Sequence, residues 1–306
     1  MVVGQRIFAG ARTGVCSPRP TDFRELEVFL LSRRVENCSP ATLETYRCRI
    51  GAFLVFCGKS VADMERSDVE MYLLSLKDKG RSPHYIRSCY RALRVFFSWL
   101  VLDGVLSKSP MKNIGCPKVP KYAKEFLPDR DFARLLSLCI VDDFRGARNA
   151  AWLWLLWSTG GRWHELANLR LADLDWNKHR IKVMGKGSKE RFVPFTREAE
   201  KAVYVYLKAR SRYLSEDEYP ELWITEERRP LSALGLQSVT KRLYERSGVK
   251  VKDMHHVFRR TWAWRNLKAG ISPKFVQLIG GWDTLGVLEQ YVKRMTSEDA
   301  LDLDWR

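Results

Sequence analysis

The chain lacks the cysteine pairs that staple small secreted folds or hold zinc. Its seven cysteines stand singly at 16, 38, 48, 57, 89, 116 and 139, with no C-x-x-C pair. That odd, scattered set argues against a disulfide framework or a zinc site and for a reducing compartment, the cytoplasm. No apolar run reaches the ~18 residues needed to span a bilayer; the richest stretch, Ala150 to Trp157, is far shorter. The opening residues, MVVGQRIFAGARTG, have no charged segment followed by a long apolar one, so no secretory signal is read there. Acidic residues are scarce, 36 against 53 basic ones, for a formal net charge of +17. So large an excess repels itself, and a polyanion such as DNA or RNA is the partner that relieves it. There is no cluster of carboxylates of the kind that holds a catalytic metal, which counts against a metal-dependent nuclease. No metal and no other cofactor is expected.

The length of 306 residues suggests two domains, and an apolar fraction of 45% is enough to fill their cores. Residues 1–21 carry Gly, Arg, Ser and Pro without periodicity and read as a loose tail. Residues 22–115 read as four helices joined by short loops, a compact bundle. Phe23, Leu26, Phe29 and Leu30 recur at helical spacing in the first. Ser39-Pro40 and Ser82-Pro83 each give an N-cap followed by Pro at the first helical position. The second helix then runs through Leu43, Tyr46 and Ile50 to Phe53 and Phe56, the third lies near Ser67 to Asp78, and the fourth carries Ile86, Tyr90, Leu93, Phe97 and Leu100 and ends near Gly104. Residues 116–127, beginning CPKVPKYAKE, read as a basic linker whose lysines, Lys118 and Lys121 among them, could follow a phosphate backbone. From Pro128 the pattern is mixed. Helices flank one hairpin, Arg180 to Met184, a Gly-rich turn from Gly185 to Lys189, and Glu190 to Phe195. The fold class is mainly α with a small β hairpin or sheet.

Two features carry chemistry. Arg87, Arg91 and Arg94 form one stripe on the fourth helix at i, i+4 and i+7, opposite its apolar positions. Such a stripe either neutralises phosphates along a groove or is an ordinary solvated face. The second feature is a set of four separated boxes: Thr159 to Leu166 (TGGRWHEL), Gly185 to Arg191 (GKGSKER), His256 to Thr261 (HVFRRT), and Ile279 to Trp282 (IGGW) with Tyr291 nine positions on. Cutting a phosphodiester without metal needs fixed cations for the charge that develops on the non-bridging oxygens, and arginine forks suit that. It needs an acid for the departing 5′ oxygen. A tyrosine hydroxyl as nucleophile stores the bond energy as an ester, so resealing needs no ATP. Two arginines, a lysine, a histidine and a tyrosine are a sufficient kit.

In these boxes the sequence resembles the tyrosine recombinases, also called phage integrases, with the Xer recombinases nearest in layout. The family pattern T-G-x-R-x-x-E-L is met by Thr159 to Leu166, G-K-G-x-K-x-R by Gly185 to Arg191, H-x-x-R by His256 to Arg259, and L-G-H/W with its distant tyrosine by Ile279 to Tyr291. Each box alone is weak, whereas all four in order form a strong signal. The resemblance implies a helical core-binding domain at 22–115 and a catalytic domain at 128–295. It implies that Arg162 and Arg259 grip the scissile phosphate, that His256 hydrogen-bonds it and shuttles a proton, and that Lys186 protonates the leaving oxygen. Trp282 would donate its indole N–H to a phosphate oxygen, Tyr291 would become the 3′-phosphotyrosine, and Glu165 would orient Arg162 or His256. Lys189 competes with Lys186 for the acid, and His255 with His256, although only His256 has Arg at the required offset. The Trp282 position is more often His in the family, Ile279-Gly280 departs from the commoner leucine pair, and Arg260 stands where His is frequent.

The resemblance also implies double-stranded DNA with a specific recombination site as partner, strand exchange through a Holliday junction, and a homo-tetramer on paired sites. No membrane partner is implied. The short stretch before Asp22 is read as leaving no room for the arm-site domain of lambda-like integrases. A type IB topoisomerase, a telomere resolvase and a non-enzymatic DNA-binding relative are the other readings. At the C-terminus, residues 296–306, Thr296 or Ser297 can cap a short helix with Glu298 and Asp299 in its first turn. Leu301 and Trp305 would then share one face. Packing of that segment on a neighbouring protomer is one expectation, and folding back or fraying is the other.

Overall fold

The structure, a computed structural model, describes residues 23–120, 125–185, 190–214 and 219–292. The N-terminal tail, Lys121, Lys186, Lys189 and the segment 296–306 lie outside these described residues. The chain divides into two compact units, Met1–Tyr122 and Ala123–Arg306.

Among the described residues the first unit holds four α-helices, α1 (Arg24–Val35), α2 (Pro40–Cys57), α3 (Arg66–Asp78) and α4 (Pro83–Leu102). Both Ser-Pro signals start helices for the physical reason expected. The Thr42 N–H donates to Ser39 Oγ and the Tyr85 N–H to Ser82 Oγ, each at 3.2 Å, while proline fills a position that needs no donor. The buried stripes interlock: Leu26, Phe29 and Leu30 from α1, Ile50, Phe53 and Leu54 from α2, Tyr72 from α3, and Leu93, Phe96 and Phe97 from α4. Phe56, within α2 as expected, is 42% exposed. At 3.6 residues per turn it falls about 120° from the face of Ile50, and it covers the flank of Tyr72 instead, with ring centroids 5.3 Å apart. Phe29 sits at the centre with no exposed surface, edge-on to Tyr46, Phe96 and Trp99. Phe29→Ala is expected to lower stability by about 3–5 kcal/mol; urea unfolding checks it, and a loss under about 1 kcal/mol would mean the cavity collapses.

The second unit is built around α6 (Phe144–Thr159), of which nearly every side chain is buried. Around it lie α5 (Asp129–Ser137), α7 (Trp163–Ala167), α8 (Arg197–Ser211), α9 (Ala233–Ser247), α10 (His256–Lys268), α11 (Pro273–Gly280) and α12 (Gly286–Val292). The polar atoms of the buried tryptophans are satisfied: the Trp152 indole N–H donates to Thr240 Oγ1 at 2.9 Å and that of Trp223 to the Leu166 carbonyl at 2.7 Å. The expected hairpin is present as β2 (Arg180–Met184) and β3 (Glu190–Pro194), and a short β1 (Leu174–Asp175) makes it a three-stranded antiparallel sheet in the order β1-β2-β3. Cross-strand pairing of Ile181 with Val193 and of Val183 with Arg191 puts these four side chains on the inward face; Lys182 and Phe192 pair on the other. Phe126 and Leu127, at the end of the stretch read as linker, are packed into this unit. Phe126 stacks on Trp264 at 5.0 Å, and the Leu127 N–H donates to Thr261 Oγ1 at 2.8 Å. No described helix is long and apolar enough to cross a membrane.

Candidate active site

The end of α6 fixes the first box. Gly160 takes a left-handed conformation (φ 62°), and a Cβ there would lie 2.2 Å from the Trp262 ring, so only glycine turns the chain at this point. The turn places Arg162 at the N-cap of α7. Its Nη1 donates to Glu165 Oε1 at 2.8 Å, its backbone N–H to Glu165 Oε2 at 2.8 Å, and its Nη2 to the Gly281 carbonyl at 2.6 Å. The first and fourth boxes, separated by more than a hundred residues, are thereby joined.

Arg259 lies on α10 among Val257, Phe258 and Trp262 and is itself buried. Its Nη1 donates to the Gly160 carbonyl at 2.7 Å, and its Cζ stands 3.9 Å from the centroid of the Trp282 ring. That is cation–π distance, and Trp282 in turn stacks on Trp262 with centroids 6.4 Å apart. Among the described residues Arg259 Nη2 has no hydrogen-bond partner, although it is fully buried. Burial, then the neighbouring guanidinium groups of Arg162 and Arg191, push the Arg259 pKa down to about 9 against the opposing pull of Glu165 and Tyr291. Burial would raise the Glu165 carboxyl, but hydrogen bonds from Arg191 and Arg162 outweigh it and hold the group below the usual carboxylate range. The carboxylate expected to orient Arg162 or His256 thus bonds Arg162 and Arg191; among the described residues, its hydrogen bonds do not include His256.

Tyr291 is carried by α12 and is 2% exposed, in an apolar cluster with Trp262, Leu267, Val276 and Leu288 and edge-on to Phe126 at 5.9 Å. His256 begins α10 and is exposed, its backbone N–H donating to Asp253 Oδ1 at 3.2 Å. His255 is buried and stacked on Trp163 at 4.6 Å, and burial pushes its ring down to about 4 against the opposing Asp253 carboxylate. Of the two histidines, only His256 is open to a ligand. Arg191 stands in the hairpin box but was not among the residues expected to form the site. It closes that box, and its inward register opposite Val183 was the available signal. In the first unit Arg91, Arg94 and Lys118 are exposed or half-buried along with Arg87. Among the described residues, no group of three or more His, Cys, Asp or Glu could hold a metal ion.

Comparison with known proteins places this arrangement. Residues 125–298 match the Phage integrase family, and residues 26–105 match the family's N-terminal SAM-like domain. Tyrosine recombinase XerC of Anoxybacillus flavithermus is 30% identical over 87% of this chain and 91% of its own length, and XerC of Salmonella typhi is 29% identical over 83% and 85%. Among solved structures, the Tn1549 transposon integrase in complex with circular intermediate DNA superposes with a TM-score of 0.73 at 21% identity, covering 90% of this chain and 97% of that one. XerH recombinase bound to a palindromic difH substrate gives 0.68 at 18% identity, over 89% and 81%. The chain belongs to the phage integrase family. It is a tyrosine site-specific recombinase.

Proposed function

We propose that this recombinase cuts and rejoins double-stranded DNA at a specific site, with Tyr291 as nucleophile, and exchanges strands through a Holliday junction within a homo-tetramer on paired sites. The observation that carries this reading is a charge imbalance. The guanidinium groups of Arg162 and Arg191 both bond the Glu165 carboxylate, Arg259 is close enough to feel the charges of all three, and among the described residues one buried N–H group of Arg259 has no acceptor. Burying such an excess is costly unless an anion fills the gap, and a phosphodiester in flight to a phosphorane supplies both the charge and the acceptor oxygens. Tyr291 Oη attacks phosphorus as its proton passes to a nearby base, the role given to His256. The P–O5′ bond breaks, and Lys186 gives the departing oxygen a proton. The product is a 3′-phosphotyrosine, and attack by an incoming 5′ hydroxyl reverses each transfer. XerC relatives and DNA-bound neighbours of the same fold support this reading, and the chain's basic balance suits a DNA partner. A cytoplasmic home, associated with the nucleoid, follows from it.

The test is a duplex nicked near the cut, incubated with the protein and excess chelator. The expected result is a covalent protein–DNA band that a protease removes. If no band forms on the protein's own site, the reading is wrong. Joined recombinant products from two intact sites, rather than relaxation of supercoils alone, distinguish recombination from topoisomerase action.

The same reading includes the arginine stripe of α4. Each phosphate that a substitution leaves without its cation should lower the slope of log K against log salt by about 0.9. The triple alanine variant of Arg87, Arg91 and Arg94 is therefore expected to bind more weakly and with a shallower salt dependence. A slope equal to that of wild type would place the stripe away from DNA.

A further inference from the structure

Of the arginines around Glu165, Arg191 has the stronger hold on that carboxylate. It donates from both arms of its fork, Nη1 to Oε1 at 2.9 Å and Nη2 to Oε2 at 2.6 Å. Its Nε donates to the Ile279 carbonyl at 2.9 Å. Gly281 approaches so closely that a Cβ there would stand 2.9 Å from Arg191 Cζ. The side chains of Arg191 and Glu165 are 15% and 5% exposed, so this is a largely dry contact. Arg162 takes what remains: one guanidinium bond to Glu165 and one to the Gly281 carbonyl. One side chain on β3 therefore ties the sheet to the start of α7 and to the turn between α11 and Trp282.

We infer that Arg191 is a positioning residue for the scissile phosphate, acting through Arg162 and Trp282. A lone Arg162 beside Glu165 would close into a fork-to-fork pair, because that geometry is the strongest available to arginine and carboxylate. Its guanidinium would then be turned toward Glu165 and its charge cancelled. Arg191 occupies the carboxylate in that bidentate fashion and leaves Arg162 held at one corner. Through Ile279 and Gly281 it also sets the backbone from which Trp282 reaches under Arg259. Its own charge is one of those that bear on Arg259. Lysine cannot reproduce this in full: it has a point charge and no planar fork. The inference rests on the reading of the site as a phosphate grip.

The experiment compares Arg191→Gln and Arg191→Lys with wild type and Tyr291→Phe on one nicked duplex. Single-turnover cleavage is measured with an ordinary phosphate and with a 5′-bridging phosphorothiolate, whose sulfur leaves without a proton, and site affinity is measured alongside. Arg191→Gln is expected to bind the site as wild type does and to cleave about 100-fold more slowly, the scale of loss when a reacting group is held about 1 Å out of place. Arg191→Lys, which keeps the charge and the stem and so guards against a folding failure, should recover part of the rate. The loss should be equal on both substrates, because the defect lies in the grip on phosphate and not in leaving-group protonation. Wild-type cleavage by Arg191→Gln overturns the inference, as does a loss that the phosphorothiolate removes, an affinity that falls as far as the rate, or a lysine variant no better than glutamine. Absence of a wild-type adduct in the same experiment would instead sink the phosphate-site reading, and this inference with it.

Discussion

Tyr291→Phe is expected to bind its DNA site with near-wild-type affinity and to form no covalent adduct at all. The affinity should survive because the proposed phosphate grip lies with arginines on other elements, Arg162 ahead of α7 and Arg259 on α10. The fold should survive because phenylalanine keeps the ring that packs against Phe126, Trp262 and Leu288, and removes only the hydroxyl. The chemistry should vanish because the oxygen that attacks phosphorus is gone and no second hydroxyl replaces it in the bond-forming role. The measurement is the protein–DNA band on a nicked duplex, with site affinity from a mobility shift. A band of wild-type intensity from the phenylalanine variant would mean that another tyrosine is the nucleophile. Loss of affinity together with the band would mean that the hydroxyl serves binding.

What the sequence alone made legible was what is encoded locally. Ser39-Pro40 and Ser82-Pro83 announce helix starts because a cap and a fixed φ act within one turn of chain. The hairpin was legible because Ile181 and Val183 alternate with polar neighbours on either side of a glycine-rich turn. A two-residue strand such as β1 has no period to detect, and the run of lysines and prolines before Phe126 concealed that it and Leu127 belong to the second unit's packing. The four boxes were visible as motifs, but their mutual bonding was not. Glu165 and Arg191 are 26 positions apart, and Arg162 reaches a carbonyl 119 positions away. Nothing in either local sequence states that the partners will meet. The placement of Trp282 beneath Arg259 was invisible for the same reason, since an isolated tryptophan after a glycine pair reads equally well as a core residue.

The roles given to Arg259 and Lys186 separate most sharply in a pair of variants, Arg259→Ala and Lys186→Ala. Arg259 contributes a buried donor with no acceptor among the described residues, Nη2, alongside one that is already tied to Gly160. Such a donor is worth most when charge builds on a non-bridging oxygen, and losing one of this kind costs about 10²–10³-fold in rate. Stability should suffer less than the burial suggests. The guanidinium is held against desolvation and against the charges of Arg162 and Arg191, which is why its pKa is pushed down to about 9. Removing it relieves that repulsion even as it leaves a gap beside Trp282. Arg259→Lys should not restore cleavage, because a buried ammonium lacks the fork and readily gives up its proton in a dry, positive site. Lys186→Ala is expected to be slow as well, but for a different reason: the 5′ oxygen departs without a proton. A 5′-bridging phosphorothiolate bypasses that need, so it should bring Lys186→Ala back toward the wild-type rate and leave Arg259→Ala as slow as before. Equal rescue of both would contradict the division between charge stabilisation and acid catalysis. Rescue of Lys189→Ala in place of Lys186→Ala would move the acid three residues along the turn, and rescue of neither would remove it from the hairpin altogether.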